Sequence, residues 1–470
     1  MSNSAAVPVP PEAHAAAAPA EKRIEPLLLL LGLIAFACAS TWVLPAGRYE
    51  RVRQEETGRT LVVPGSYHAV VATPVGAWEG LKAITRGLVD AAAVVVYVLL
   101  AGAALTVVEL TGAMGRLVDR IAWTTRRRPV LIVPAVSVLF AAGGATYGMY
   151  DEVIAFLPAL CLLAQRARFD ALTAVAMSIG TASVAGTFSP IETFKLGIAQ
   201  PLAEVPLFSG GVFRACVFVP AIVGWVGFVS WHASRVRRAR LLAAGEAAAA
   251  DPEPPAPLTR RDFVVLAMLN GTMGLLVLGA ARLGWGLVDF STAMLGMGLA
   301  AGLAGGLGPA GTARGLAEGF RRMAYAAVLV GVARAVLLVL QDGQVLDTLA
   351  YTLFSPLSAL SREMSAVAML LAQSLLAVPI PSDSGRAMVT MPIVVPLSDL
   401  LQLPRQATVV AYQYGSLAAS LMTPTAGSFL AMLAIANVSF GRWFRFMLPA
   451  FAGLLLIGAV AIAIGVRTGF

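Results

Sequence analysis

The segment that decides the fold is LLAVPIPSDSGRAMVTMPIVVPLSDLL, from Leu375 to Leu401. It begins and ends with apolar residues of the kind that cross membranes, but its middle contains prolines, serines, a glycine, Asp383 and Arg386. Irregular backbone at membrane depth is tolerated only where protein or a water-filled cavity surrounds it. The segment therefore predicts a re-entrant hairpin, residues 363–400, whose tip PIPSDSG lies inside the protein.

The composition of the whole chain is that of a membrane protein. Of its 470 residues, 58% are hydrophobic and 13% are charged, about half the charged fraction of a soluble domain. Several apolar runs reach the roughly 20 residues that a helix needs to cross a bilayer. The sequence thus predicts an all-α polytopic protein with about nine transmembrane spans in contact with the lipid bilayer. Most basic residues fall on one side, which is expected to be cytoplasmic, although four arginines lie in the first external loop.

A second segment, residues 129–165, has the same character as the first. It is bounded by arginines and is too short for two full crossings and a turn, so it also predicts a re-entrant hairpin, with its tip at GGATYGMYDE. Each hairpin is followed by a helix that a proline interrupts, within 170–208 and 405–437. The same number of residues separates Pro158 from Pro190 as Pro392 from Pro424. These parallels predict two inverted repeats.

The predicted domain order follows from these segments. It comprises a disordered cytoplasmic tail (1–23), a first inverted repeat (24–233), a charged and Pro/Ala-rich cytoplasmic linker (234–261), an extra transmembrane span (262–284) and a second inverted repeat (285–470). Inverted repeats with paired broken helices are typical of secondary transporters that bind their substrate near the bilayer midplane. Exposed helix ends there can replace the hydration shell of an ion or a carboxylate.

Charged and polar residues at the predicted tips and breaks are the candidates for substrate binding. They are Arg386, Asp383, Ser382, Ser384, Lys195, Glu192, Asp151, Glu152 and Arg334. Charges at membrane depth are costly and commonly functional, but each has a structural alternative. Internal ion pairs could form between Glu192 and Lys195 and between Asp383 and Arg386. The two acids of the first tip, Asp151 and Glu152, could cap a helix. The mid-span Arg334 could bind hairpin carbonyls.

Hydroxyl side chains beside the breaks are the candidates for cation binding. They are Ser189, Thr187, Thr423, Thr425 and Ser420. Their oxygens could hold dehydrated Na⁺, or they could simply bond to the carbonyl four residues earlier in a helix. Coupling to H⁺ through the acidic residues is the other possibility.

Several classes of function are disfavoured. The three histidines lie outside the predicted site, and the tip residues lack a base that would activate a nucleophile, so no catalytic residues are predicted and the protein is not expected to be an enzyme. Cys38, Cys161 and Cys216 lie in apolar runs without metal-ligand spacing, so neither a metal site nor a cofactor is predicted. The basic residues are not interleaved with aromatic ones, which argues against nucleic-acid binding.

Six motifs resemble those of a known family. They are TWVLPAGRYERV, GMYDEVIAFLP, FDALTAVAM, GIAQPLAEVPLFSG, GVARAV and TMPIVVPLSDLL. Together they resemble the YfcC/DcuC-like group of the ion transporter superfamily, labelled C4-dicarboxylate anaerobic carriers or basic amino-acid antiporter-like proteins. The resemblance implies a homodimer in the bacterial inner membrane, in which a hairpin-bearing domain moves against a scaffold like an elevator. It also implies carboxylates, amino acids or related anions as substrates.

The sequence therefore predicts a secondary active transporter of a small organic anion or amino acid. Transport would be coupled to Na⁺ or H⁺ by symport or antiport, or would exchange one solute for another. A gated ion or solute channel would share the broken helices and is the alternative. A membrane-embedded hydrolase is the third possibility.

Overall fold

The computed structural model describes residues 26–53, 60–63, 65–146, 148–244, 255–279, 283 and 285–469. The predicted disordered tail lies outside these residues. Within them the chain is mostly helical, and eight helices are long and apolar enough to cross a membrane.

The described residues of the first half of the chain form ten α-helices. They are α1 (Pro26–Val43), α2 (Ala77–Asp90), α3 (Ala92–Leu110), α4 (Ala113–Thr124), α5 (Ile132–Thr146), α6 (Val153–Arg166), α7 (Ala171–Val175), α8 (Thr181–Phe188), α9 (Thr193–Leu202) and α10 (Gly211–Ala244). A π-helical turn, Ala176–Gly180, joins α7 to α8 and makes them one continuous apolar span. Gly112, with φ of +76°, ends α3 and starts α4 in the left-handed conformation that glycine favours.

The second half of the chain repeats this order. Its helices are α11 (Arg260–Leu278), α12 (Leu287–Ala304), α13 (Gly308–Asp342), α14 (Leu346–Phe354), α15 (Arg362–Leu376), α16 (Asp383–Leu400), α17 (Arg405–Leu421), α18 (Gly427–Ile435) and α19 (Phe440–Thr468). In both halves, two helices flank a non-helical tip, an interrupted helix follows, and a long apolar helix comes last.

The all-α prediction is wrong for the segment after α1. Four short strands form two antiparallel pairs: β1 (Gly47–Arg48) with β4 (His68–Ala69), and β2 (Arg51–Arg53) with β3 (Thr60–Val62). Asp347 fixes this segment to α14, because its carboxylate accepts the backbone N–H of Tyr49 at 3.0 Å and pairs with Arg51 at 2.7 Å. Pairings this short are stabilised by such contacts rather than by strand length, so the sequence gives little sign of them.

The eight apolar helices match the predicted spans only in part. The predicted extra span 262–284 corresponds to α11, and the predicted second broken helix corresponds to α17 and α18. Neither of these two segments is among the eight membrane-length helices found in the described part of the chain. The run Pro129–Thr146, predicted as a hairpin arm, is among them. In addition, α10 continues to Ala244, into the segment predicted as a linker.

The helices pack in two groups. In the first, α1, α2, α3 and α12 lie against α13, and α11 lies against α12. Close approach of α2 and α13 requires glycine at position 87, because any Cβ there would overlap the carbonyl oxygen of Gly331. In the second group, α8 and α17 are almost wholly buried among α5, α10, α15 and α19. The two tips lie in or beside this second group, whereas α18, which follows the second interruption, packs against α13 of the first group.

Candidate functional site

Each half has a helix that stops and restarts at a proline. Helix α8 ends at Phe188 before Pro190, and α17 ends at Leu421 before Pro424. Proline has no N–H to donate, and it disfavours the helical conformation in the residue before it. The helix that resumes in the first half is capped by Glu192, whose carboxylate accepts the backbone N–H groups of Phe194 at 2.9 Å and Lys195 at 2.6 Å. Glu192 thus satisfies two helix-end donors, and among the described residues the ion pair of Lys195 is with Asp383 rather than with Glu192.

Hydroxyl groups at the interruptions bond to the ends of the hairpin helices. In the first half, the Ser189 hydroxyl donates to the carbonyl of Ala145 at 2.5 Å, near the end of α5. In the second half, the Thr425 hydroxyl donates to the carbonyl of Val378 at 2.5 Å, just beyond α15. Thr423 lies 2.7 Å from Thr425, oxygen to oxygen. These predicted cation ligands therefore connect each interrupted helix to the hairpin of its own half.

Other contacts join the two halves. The Tyr150 hydroxyl on the first tip donates to the carbonyl of Ser420 at 2.9 Å. The Lys195 ammonium lies 3.6 Å from the carboxylate of Asp383 on the second tip. The Gln413 amide donates to the carbonyl of Ser189 at 2.8 Å. Both tips and both interruptions consequently meet in one place.

A cavity of about 630 Å³ occupies this meeting point. Ten of the predicted site residues line it: Asp151, Glu152, Glu192, Lys195, Arg334, Ser382, Asp383, Ser384, Ser420 and Thr425. The other four predicted residues, Arg386, Ser189, Thr187 and Thr423, are not among the described residues that line it. The structure thus collects most of the candidates, drawn from both halves, around a single space.

The first tip presents two carboxylates to this cavity. Asp151 and Ser428 both line the cavity, and the Oδ1 of Asp151 is enclosed without a hydrogen-bond partner among the described residues. The Glu152 carboxylate accepts the backbone N–H of Tyr150 at 3.0 Å. Although Glu152 is at the N-cap position of α6, its side chain makes no capping hydrogen bond. The capping alternative therefore does not account for this residue.

Arg386 and Asp383 do form the internal ion pair that was the alternative to substrate binding. The Arg386 guanidinium donates to Asp383 Oδ1 at 2.7 Å and lies over the ring of Tyr412, 5.3 Å from its centroid. Arg386 is fully buried, whereas the Asp383 side chain is 18% exposed and faces the cavity. The Nε and Nη1 of Arg386 have no hydrogen-bond partner in the described part of the chain.

Arg334 has a partner far away in the sequence. Its Nε bonds to the carboxylate of Asp90 at the end of α2, so it does not need the hairpin carbonyls as acceptors. Sequence reasoning missed Asp90, as it missed Tyr150 and Ser428, which also line the cavity. The available signal was a lone acid at the start of an apolar run, opposite in sign to Arg334 in the apolar second half of α13.

We expect the Asp90 and Arg334 charges to be energetically coupled. Asp90→Asn or Arg334→Gln alone leaves one charge beside the cavity without its partner. The double variant should therefore lose less unfolding free energy than the sum of the losses in the two single variants. Because both side chains are more than a third exposed, the coupling should be about 1 kcal/mol, measured by denaturation of the purified protein. The exposed pair Glu79 and Lys82 on α2 is the matched control, expected to couple by about 0.5 kcal/mol or less. Additive effects of the two cavity substitutions would contradict this expectation.

Comparison with known proteins gives a consistent family match. The family model described as C4-dicarboxylate anaerobic carrier, DcuC, matches residues 25–467. "Putative basic amino acid antiporter YfcC" of Escherichia coli K12 is 29% identical over 486 residues, covering 94% of this chain and 96% of the relative. An uncharacterised protein of Haemophilus influenzae Rd is 24% identical over 493 residues, covering 93% and 96%.

Two solved transporter structures are also similar. YdaH of Alcanivorax borkumensis has 20% identity and a TM-score of 0.40, covering 95% of this chain and 99% of its own. MtrF of Neisseria gonorrhoeae, described as illuminating a class of antimetabolite efflux pumps, has 16% identity and a TM-score of 0.41, covering 95% and 96%.

Proposed function

Since this chain belongs to the C4-dicarboxylate anaerobic carrier family, we propose that it is a secondary active carrier of an amino acid. The solute would bind in the cavity between the two tips. Its carboxylate would be held by the basic residues of the site and its positive groups by the acidic residues. A dicarboxylate, which the family description names, is the less favoured solute of the same carboxylate-bearing class.

The observation that carries this proposal is the charge of the cavity wall. Five carboxylates line it, those of Asp90, Asp151, Glu152, Glu192 and Asp383, against two basic side chains, Lys195 and Arg334. An enclosed site with an excess of acids repels a dianion and attracts a solute that carries positive charge. A basic amino acid meets this requirement, in agreement with the name of the Escherichia coli relative.

The same excess of acids supports coupling to a cation. A proton could be carried by a carboxylate of the first tip, where Asp151 has an unpartnered oxygen. Sodium would need several oxygen ligands, and the Ser420 and Thr425 hydroxyls are the predicted cation ligands that face the cavity. We favour H⁺, because three of the five predicted cation ligands, Ser189, Thr187 and Thr423, are not among the described residues that line the cavity.

One short arm in each predicted hairpin, α6 and α15, supports re-entrant hairpins, and the grouping of the helices supports movement of one group against the other. Helix α6 has 14 residues, about 21 Å in length, which is too short to cross roughly 30 Å of hydrocarbon. The tips belong with the helices around α8 and α17, whereas α13 and its neighbours form the second wall of the cavity. In this proposal the first group of helices is the scaffold and the second group moves. The homodimer and the bacterial inner membrane stay predictions.

Uptake by proteoliposomes tests the proposed function. L-arginine and succinate are the probes, each with and without a pH gradient and a Na⁺ gradient. We expect saturable arginine uptake that internal arginine stimulates and a pH gradient changes, with succinate uptake at least tenfold lower. Uptake of succinate but not arginine would refute the amino-acid assignment. A flux that does not saturate and shows no stimulation from the opposite side would favour a channel.

A further inference from the structure

The contacts of Asp383 suggest a role that differs from substrate binding. Its carboxylate lies between two basic groups, the Lys195 ammonium at 3.6 Å and the Arg386 guanidinium at 2.7 Å. Lys195 belongs to the first half of the chain and Arg386 to the second. Ammonium and guanidinium groups arranged around one carboxylate are the contacts by which a protein would bind a carboxylate ligand.

The two basic groups have hydrogen-bonding capacity that the Asp383 carboxylate does not use. The Nε and Nη1 of Arg386 lack hydrogen-bond partners among the residues the structure describes, although the side chain is fully buried. A guanidinium offers five donors in a planar fork that matches a carboxylate. An incompletely satisfied buried cation is costly, so this group is suited to receive an additional anionic ligand.

The Asp383 carboxylate is also placed so that it could move away from Lys195 and Arg386. It faces the cavity, while its own carbonyl oxygen accepts a 2.8 Å hydrogen bond from the Tyr412 hydroxyl. The backbone is therefore held independently of the carboxylate. Ser382 and Ser384, which flank it, also line the cavity and could donate hydrogen bonds to a carboxylate that has rotated away from Lys195.

We propose that Lys195 and Arg386 form a carboxylate-binding subsite for which Asp383 is an internal competitor. A solute carboxylate binds there by displacing the Asp383 carboxylate, which turns toward the cavity. The competition weakens binding of any solute through its carboxylate alone, so a second group of the solute must contribute. It also keeps both basic groups in contact with a carboxylate whenever no solute is bound. This inference rests on the proposed function for its biological meaning, but the subsite itself can be tested without transport.

The test measures binding of acetate, the smallest carboxylate probe, to purified full-length protein by thermal unfolding. Chloride keeps the ionic strength constant, and acetamide serves as the uncharged probe of the same shape. Because Asp383→Asn removes the competitor and leaves both basic groups, the apparent Kd for acetate should fall at least tenfold. Binding of acetamide should not change. In the double variant Lys195→Met/Asp383→Asn, the gain in acetate affinity should be lost.

The matched control is Asp399→Asn, which removes the same charge from the other end of the same helix, where Asp399 pairs with Arg405 and is not among the described residues that line the cavity. We expect it to change the Kd for acetate less than twofold. An equal gain in Asp399→Asn and Asp383→Asn would show a general charge effect and overturn the inference, as would an unchanged or weaker affinity in Asp383→Asn. If Asp383→Asn does not fold, Asp383→Ser removes the same charge with a residue that is favourable at a helix start.

The outcomes for the subsite and for the proposed function are separable. Tighter acetate binding in Asp383→Asn without arginine uptake by the wild-type protein would support the subsite and refute the amino-acid assignment. Arginine uptake by the wild-type protein together with an unchanged acetate affinity in Asp383→Asn would support the amino-acid assignment and overturn the subsite.

Discussion

Asp151→Asn is expected to lower solute uptake by about 100-fold while the protein still folds. The carboxylate faces the cavity, and one of its oxygens has no hydrogen-bond partner among the described residues. A hydrogen bond between charged groups contributes about 1.5–3 kcal/mol, and every 1.4 kcal/mol is roughly a tenfold change in binding. Loss of the charge should therefore be large whether Asp151 binds the positive group of the solute or carries the coupling proton. The measurement is initial uptake of L-arginine by proteoliposomes.

The control for this substitution removes a carboxylate from outside the cavity. Glu318 lies on α13, pairs with Arg321 and Arg322 and is absent from the cavity lining that the structure describes. Glu318→Gln should leave uptake within about twofold of wild type, since exposed ion pairs contribute about 0–1 kcal/mol. Full uptake by Asp151→Asn would show that this carboxylate has only a structural role and that the site assignment for the first tip is wrong.

Gly144→Val is expected to prevent correct packing of the first hairpin. Any Cβ at this position would overlap the carbonyl oxygen of Ala182 in α8, and Gly186 of the same helix lies opposite. Backbone cannot move aside as a flexible side chain can, so α5 would separate from α8 and break the hydrogen bond between Ser189 and Ala145. Overpacking a core costs about 1–3 kcal/mol or more. We expect a clearly lower unfolding temperature and loss of uptake.

A matched glycine tests whether the cost arises from contact with α8. Gly224 lies in the middle of α10, and a Cβ there would meet no other atom within 4 Å. Gly224→Val should therefore leave the unfolding temperature close to that of wild type. Equal unfolding temperatures for Gly144→Val and the wild-type protein would contradict the close approach of α5 and α8.

The sequence by itself determined where the helices are interrupted and which residues lie beside the interruptions. Pro190 and Pro424 break their helices through local covalent chemistry, because a proline lacks an N–H and restricts the residue before it. The polar tips stand out for a similarly local reason, since charge is rare in apolar sequence of this length. These features predicted ten residues that now line one cavity, without any knowledge of how the helices pack.

Only the tertiary structure decided what each of those side chains contacts. Arg334 has Asp90 as its partner, more than 200 residues away, and Lys195 reaches Asp383 across the two halves. Arg386 was predicted to face the solute but is buried behind Asp383, and Ser189 bonds to a hairpin carbonyl. The direction of a side chain depends on the rotation of its helix and on the neighbours that pack against it. Neither the rotation of a helix nor its packing neighbours can be read from adjacent residues. The sequence pattern could therefore identify the candidate residues of the site but could not assign their partners.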